Sequence, residues 1–475
     1  MNLLSRKNLR RAKIVCTIGP SSSNKETISS LIKGGLDVAR LNFSHGDHAT
    51  HKRNAELIRE GSKKCGKPVA ILQDLQGVKI RVGIIEGGAV ELKKGSTLFL
   101  IPGEGIGNRE KIFISYRGLL KDAVKGDRVL LDDGLIQLTV LEKSKNALKT
   151  KVIEGGILKD KKGVNLPGVK LSVESFTEKD KRDLTFGMSI GVDYVAISFV
   201  RYADDIRKVK QWLKEKRQHI PIIAKIEKIE ALSNIEEIFN EADGIMVARG
   251  DLGVEIPPEE VPLIQKMLID KANEKGKLVI TATQMLESMT EHLRPTRAET
   301  TDVANAVIDG TDALMLSAET ATGKYPVAAV NMMDRIIRHT ESERSSKSSC
   351  IRGDTFAEAV ADAACSAAED IKAKVLVAFT RSGFTARLVS KFRPDVPIIA
   401  FTPNEKVKKR MCLYWGVMPK IMKPLATIDE MIKEVERSLV EEHIAKRGDK
   451  IVITSSSPLS TFGKTNFMKL HKIGE

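Results

Sequence analysis

The sequence predicts an α/β protein: a (β/α)8 barrel with an inserted all-β lid domain and a C-terminal α/β domain. Three observations carry this. Short β-rich apolar runs alternate with amphipathic helical stretches, the pattern of repeated βα units around a parallel sheet. Eight such runs appear once one segment is skipped, and eight is the number that closes a barrel. The skipped segment and the tail follow other patterns, and 475 residues exceed what one hydrophobic core usually serves.

The eight runs fall at 13–18, 38–43, 69–72, 194–200, 222–226, 244–248, 278–282 and 313–316. Each ends in polar or charged residues: Arg40, Asn42 and Ser44; Asp74; Ser198 and Arg201; Lys225 and Glu227; Arg249 and Asp251; Thr283; Ser317 and Glu319. The C-terminal strand ends of such a barrel converge on one mouth, so these residues are expected in a single site. Ordinary surface turns would show mixed turn residues, not recurrent carboxylates, Lys, Arg and Thr with small neighbours.

The barrel is expected to span 1–81 and 173–344. Between them, 82–172 is rich in Gly and Val, with alternating stretches such as Arg128-Val-Leu-Leu-Asp132 and Ile136-Gln-Leu-Thr-Val140, and reads as an inserted β lid over the mouth. A polar Ser/Lys-rich stretch at 343–349 reads as a linker. Beyond it, 345–475 alternates an Ala-rich helix at 355–369, a strand at 375–378, a helix at 386–391 and a strand at 398–401, a small α/β domain with a parallel sheet of its own.

Composition narrows the function classes. Hydrophobic residues at 42% and charged residues at 29% describe an ordinary soluble protein and argue against disorder. The basic stretch 1–13 is followed by an apolar run that stops at Thr17, too short for a signal-peptide core, and no run of about 18 apolar residues occurs. A cytoplasmic protein without a membrane partner is the expectation. Cys16, Cys65, Cys350, Cys365 and Cys412 form no CxxC pair, which argues for reduced thiols. The net charge of +15 suits anionic small molecules drawn to a positive cleft; with only 4% aromatic residues, a stacking platform for nucleic acid is hard to build.

The chemistry concentrates at the fifth and sixth runs. Glu227 and Asp251 on adjacent strand tips, with coordination positions left for water, form the partial oxygen shell that Mg2+ prefers when substrate phosphates complete it. Lys225, two residues before Glu227, points the same way along its strand, and an ammonium beside a divalent cation suits an enolate or a transferring phosphoryl group. Gly250 fits a point where backbone approaches a ligand closely. Arg40, Asn42 and Ser44 share one face by the period of two, and the guanidinium there can clamp a phosphate. His45, His48 and His51 are spaced by three and read as surface donors in preference to a metal ladder. Gly463-Lys464-Thr465 ends like a phosphate loop, but Pro458 stands where its first glycine belongs. The Gly103, Gly105, Gly107 series lacks the later glycine of the dinucleotide fingerprint.

Seven segments resemble the pyruvate kinase family in order and spacing: Lys13-Ile-Val-Cys-Thr-Ile-Gly-Pro-Ser21, Ala39-Arg-Leu-Asn-Phe-Ser-His-Gly46, Lys225-Ile-Glu227, Met246-Val-Ala-Arg-Gly-Asp-Leu-Gly253, Ala282-Thr-Gln-Met-Leu-Glu-Ser-Met289, Arg294-Pro-Thr-Arg-Ala-Glu299 and Leu316-Ser-Ala-Glu-Thr320. The resemblance covers the whole chain. It implies transfer of the phosphoryl group of phosphoenolpyruvate to ADP, giving pyruvate and ATP, the final step of glycolysis. It implies that Glu227 and Asp251 bind Mg2+ or Mn2+, that Lys225 stabilises the transition state, and that Arg40 holds the transferring phosphate. Thr283, Gly250 and Asp251 would line the phosphoenolpyruvate carboxylate pocket with Ser198 and Arg201 nearby, and Thr283, Ser317 and Glu319 would relay a proton to the enolate carbon. Arg81 and the lid residue Lys162 resemble nucleotide-phosphate contacts, with Asn42, Phe43, Ser44 and His45 beside them.

Many members carry an acidic residue where this chain has Lys79 and hold K+ through the equivalents of Asn42, Ser44, Asp74 and Leu75. Here a Lys79 ammonium near Asp74 would supply the same charge, so activity without K+ is expected. Thr380, Arg381, Ser382, Gly383 and Thr385 resemble the family's effector loop for a sugar phosphate or a nucleotide; a plain capped helix start is the alternative reading. The resemblance suggests a homotetramer without the extra C-terminal domain of some bacterial members. A Mg-dependent lyase or aldolase acting on pyruvate-like enolates is the competing function, which the lid with Lys162 and the regulatory-type domain disfavour.

Overall fold

The computed structural model describes residues 10–343, 355–425, 427–456 and 465–475. Most of the linker expected at 343–349, Cys350, and the phosphate-loop signal at Gly463 and Lys464 lie outside the described residues.

Eight parallel strands close the barrel: β1 (Lys13–Thr17), β2 (Val38–Asn42), β3 (Ala70–Asp74), β4 (Tyr194–Ile197), β5 (Ile222–Ile226), β6 (Gly244–Ala248), β7 (Leu278–Ala282) and β8 (Ala313–Leu316). Each pairs with the next, and β8 pairs with β1. Nearly every strand residue is buried, because the ring of helices covers the outer face while the strands fill the inner one.

The period of two sorts these residues into layers. Val15, Val38, Leu72, Ala196, Ile223, Met246, Ile280 and Met315 pack together inside the barrel, while Ile14, Cys16, Leu41, Ile71 and Val247 face the helices. Two residues beyond the inner aliphatics come Thr17, Arg40, Asp74, Ser198, Lys225, Ala248, Ala282 and Ser317. The same alternation that fills the core therefore sets a polar layer on top of it.

The lid is a separate unit with its own core of Leu98, Leu100, Ile112, Leu131, Leu138 and Val152. Its main sheet contains six strands, from Thr97–Pro102 to Val164–Asn165, and alternate residues are buried as the sequence pattern requires. The barrel resumes with helix Glu178–Ser189, opened by a capping box of Thr177 and Asp180.

The C-terminal domain holds four parallel strands, Val375–Phe379, Ile398–Thr402, Val417–Ile421 and Lys450–Ser455, and a fifth, Phe467–Lys472, that runs antiparallel at the edge. The expected parallel sheet therefore carries one antiparallel edge strand. The connection from Ser455 to Phe467 is shorter than the dozen or so residues a parallel crossover needs, so the chain folds back. The domain docks on the base of the barrel through buried charge. Asp312 takes the Lys391 amine at 2.5 Å and the Arg393 guanidinium at 2.8 Å, and Arg393 lies over the Trp415 ring at 4.7 Å.

A second buried cluster closes the barrel floor, where Asp37 meets Arg10 at 2.7 Å and Lys67 at 3.1 Å and accepts the Ile14 N–H. Burial pushes the Asp37 carboxyl up, but Arg10, Lys67 and Lys13 outweigh it and hold it below the ordinary carboxylate range. A carboxylate depressed in the folded state contributes stability above its unfolded pKa and loses it as pH falls. Asp37→Asn should therefore cost about 3–5 kcal/mol at neutral pH, and the gap to wild type should narrow below about pH 4, as read by thermal melts at both pH values.

Candidate active site

The polar layer converges on Lys225 at the end of β5. Its amine lies 2.7 Å from Glu227 Oε1, 2.8 Å from Ser198 Oγ and 3.4 Å from Asp74 Oδ1. Arg40 reaches the other Asp74 oxygen at 2.7 Å through both Nε and Nη2, and its Nη1 donates to Thr17 Oγ1 at 2.9 Å. Burial alone would lower the Lys225 pKa; Asp74, Glu227 and Asp251 outweigh it, so the amine is held charged, its pKa above the ordinary lysine value. Burial, with the Asp251 charge reinforcing it and Lys225 opposing, raises the Glu227 carboxyl. Asp74 is driven the other way, because Lys225 and Arg40 overcome its burial.

Glu227 Oε2 accepts the Phe199 N–H at 2.7 Å. Phe199 has φ +57°, and across the mouth Thr283 and Gln284 have φ +69° and +54°. Left-handed backbone at a bulky or β-branched residue is costly, and its occurrence on both rims marks strain held by the surrounding structure. Thr283 Oγ1 accepts the Gly250 N–H at 2.8 Å and donates to the Ala282 carbonyl at 2.6 Å. A Cβ at Gly250 would stand 3.4 Å from that hydroxyl, ordinary contact, so the neighbouring Thr283 does not by itself require a glycine here.

Glu227 and Asp251 fit a divalent cation. Asp251, half-buried, has no ion pair or hydrogen bond among the described residues, and its charge acts on Glu227, Lys225 and Lys79 alike. In this cluster two buried cations, Arg40 and Lys225, face three carboxylates. A further positive charge between Glu227 and Asp251 would relieve their repulsion.

Several expected placements need correction. Arg249, expected at the mouth beside Asp251, begins the helix Arg249–Glu255 and turns to Asp302 at 2.6 Å and the Thr283 carbonyl at 2.7 Å. Lys79 does not sit on Asp74. It faces a cleft lined also by Asp133, Gly163, Asn165, Arg201, Lys228 and Asp251, where burial and Arg81 lower its pKa against Asp251 and Asp133. Arg201 binds the Leu171 and Val173 carbonyls at 2.9 and 3.2 Å, which ties it to the chain returning from the lid. Glu319 is fully buried, and its two oxygens accept the Leu286 and Ser317 N–H groups, so it braces backbone and makes no bond to Thr283. The Ser317 hydroxyl has no partner in the described structure.

The residues expected beside the nucleotide also divide. The Phe43 ring is buried and stacked 4.0 Å from His51, so it belongs to the core. His48 stacks on Phe186 and bonds Asp183 at 2.8 Å, and His51 bonds the His45 carbonyl, which disposes of the metal ladder. Asn42 Oδ1 accepts the Ser44 N–H, and the Leu75 carbonyl accepts the Ser198 hydroxyl. His45 is exposed, and burial with the nearby Lys79, Arg81 and Arg40 charges lowers its pKa. Lys162 pairs with Asp132 at 2.8 Å, and Arg81 reaches the Lys161 carbonyl at 3.3 Å at the root of the lid. Thr17 and Phe199 were not singled out as site residues from the sequence. Thr17 could have been found by the same period of two from Val15, whereas the positive φ of Phe199 leaves no sequence signal.

In the C-terminal domain, Thr380 Oγ1 accepts the Gly383 N–H at 2.9 Å, and Gly383, with φ +90°, turns the chain into helix Phe384–Lys391. Thr380 and Arg381 border a cavity with Phe379, Thr402, Lys423 and Ser455. Ser382 Oγ accepts the Phe384 N–H, and the Thr385 hydroxyl is buried against Thr465.

Comparison with known proteins agrees along the whole chain. Residues 9–330 match the family described as "Pyruvate kinase, barrel domain", and 358–471 match "Pyruvate kinase, alpha/beta domain". A pyruvate kinase of Geobacillus stearothermophilus is 48% identical over 98% of this chain and 81% of its own, and one of Corynebacterium glutamicum is 44% identical over 98% of both. A crystal structure of a pyruvate kinase from Cryptosporidium parvum superposes with a TM-score of 0.93 at 39% identity, covering 99% of this chain and 98% of the other. These matches select phosphoryl transfer over the aldolase alternative. The chain belongs to the pyruvate kinase family, whose members transfer the phosphoryl group of phosphoenolpyruvate to ADP and release pyruvate and ATP.

Proposed function

We propose that Glu227 and Asp251 hold the divalent cation, Mg2+ or Mn2+, and that Lys225 and Arg40 flank the phosphoryl group as it passes to ADP. The observation that carries this is the charge cluster at the mouth, where two buried cations meet three carboxylates around one opening. When bound, the metal would draw charge from the phosphoryl oxygens and the enolate. The chain's own part is positioning and charge. Ser198, Asp74 and Glu227 hold the Lys225 ammonium in place, and Asp74 with Thr17 aims the Arg40 guanidinium. Thr283 and the Gly250 backbone form the wall proposed for the substrate carboxylate. Lys162 and Arg81 approach from the lid side and suit nucleotide phosphates. Proton delivery to the enolate is assigned to Thr283 and Ser317, with Glu319 bracing the Ser317 backbone.

The monovalent-cation site is proposed to be dispensable. Asp74 is neutralised by Arg40 and Lys225, the Asn42 and Leu75 oxygens are engaged within the protein, and the exposed Lys79 adds a positive charge at the edge of the cleft. The Thr380–Gly383 turn is read as an effector loop for a sugar phosphate or nucleotide, in an allosteric homotetramer working in the cytoplasm. Among the described residues no helix is long and apolar enough to cross a membrane.

Three measurements test these assignments. Lys225→Met should slow turnover by a factor on the order of 10²–10³, as loss of one fixed donor at a developing anion does; near-normal turnover contradicts the role. Arg249→Met frees the Thr283 carbonyl, and misplacing that wall should lower kcat/KM for phosphoenolpyruvate by up to about 10²-fold with little change in melting temperature. Activity should persist when K+ is replaced by a tetraalkylammonium salt, and a fall to near zero refutes the dispensable site.

A further inference from the structure

We propose that Glu255 is the positioning residue of a three-part clasp that sets the lid over the barrel mouth and so governs nucleotide affinity; the inference rests on the phosphotransferase reading above. Glu255 ends the helix Arg249–Glu255, whose first turn carries Gly250 and Asp251. Its carboxylate is 1% exposed, and Oε1 accepts from two directions. Lys228, the residue after Glu227, donates from the barrel at 2.5 Å. Asn165 Nδ2 donates from the lid at 3.1 Å.

Each partner leads to the site. Asn165 belongs to the edge strand Val164–Asn165, registered against Leu131 and Leu130 of Arg128–Leu131. The next residue along, Asp132, holds the Lys162 amine. On the other side the Lys228 amine lies 5.9 Å from the ring of Phe199, the residue whose N–H holds Glu227. One carboxylate therefore joins the lid edge that presents Lys162, the helix that presents Asp251, and the strand end that presents Lys225 and Glu227.

A buried carboxylate is a poor way to gain stability, because its desolvation offsets most of the attraction it gains, but it is a sharp way to fix geometry. Its bonds hold only where donors stand in the right places, and loss of one leaves charge unpaired in a dry environment. The second oxygen of Glu255 has no partner in the described structure, so whatever Glu255 contributes to the lid's position comes through the bonds made at Oε1. The groups proposed to face phosphoenolpyruvate all stand on the barrel, whereas Lys162 rides on the lid and Arg81 sits at its root. Loosening the clasp should weaken ADP binding and leave phosphoenolpyruvate binding nearly intact.

The test is steady-state kinetics on the full chain for Asn165→Ala, Glu255→Ala and the double variant, with melting curves. Asn165→Ala should raise KM for ADP about tenfold, the scale of a hydrogen bond to a charged group, while KM for phosphoenolpyruvate stays within about twofold. The double variant should be no worse for ADP than Glu255→Ala alone, because both changes break one linkage. An unchanged KM for ADP in Asn165→Ala, effects that multiply in the double variant, or both KM values rising together with a lowered melting temperature would each overturn the clasp. Asn165 is partly exposed, so its variant carries the test even if Glu255→Ala fails to fold. Wild-type chain without phosphoryl transfer would sink the clasp and the underlying reading together, whereas active wild type with an indifferent Asn165→Ala sinks the clasp alone.

Discussion

The Lys225 ammonium, buried between Asp74, Glu227 and Ser198, is the constraint around which the rest of the site is arranged. At an effective dielectric near 20, a unit charge about 3 Å from an opposite one is stabilised by roughly 5 kcal/mol, comparable with the several kcal/mol that removing each ion from water costs. Such a cluster adds little to net stability. What it supplies is a fixed field: an amine that stays charged beside one more carboxylate than there are cations, held by the barrel in one geometry.

The fold produces that field with no separate device. Inside the barrel the alternation along each strand places Val, Leu, Ile and Met below and Arg40, Asp74, Ser198 and Lys225 above, so the aliphatic core is the floor on which the charges stand. Parallel pairing then sets neighbours: Arg40 is level with Thr17 on β1 and with Leu72, two residues below Asp74, on β3. The strained turns at Phe199 and Thr283 aim a backbone N–H at Glu227 and a hydroxyl at Gly250, and Arg249 holds the second turn from behind.

Most of the barrel was legible in the sequence because its strands obey a period of two and are bounded by turn residues. The same rule found Arg40, Asp74, Lys225 and Glu227, whose positions depend only on which strand they end. It failed where the chain leaves the strand. Placing both Arg249 and Asp251 at the mouth extends the strand period past Ala248, but a helix begins there and separates the two side chains. Long side chains defeat it differently: Arg201 and Lys79 sit at the expected strand end or loop, yet their reach lets them settle on the Leu171 and Val173 carbonyls and opposite Asp251 and Asp133. Glu319 looked like a relay acid, and only its two backbone donors, brought from residues far apart in the chain, show it to be a brace. The antiparallel edge strand of the C-terminal domain was missed because the sequence reading places no strand in that domain beyond 398–401.

The proposed chemistry of the site requires Glu227 and Asp251 to act together on one cation. Binding of Mn2+, followed by electron paramagnetic resonance in the absence of substrates, tests this most directly. One site per chain is predicted in wild type and in Lys225→Met, with affinity sharply reduced in both Glu227→Gln and Asp251→Asn. Undiminished Mn2+ binding in either acid variant would contradict it.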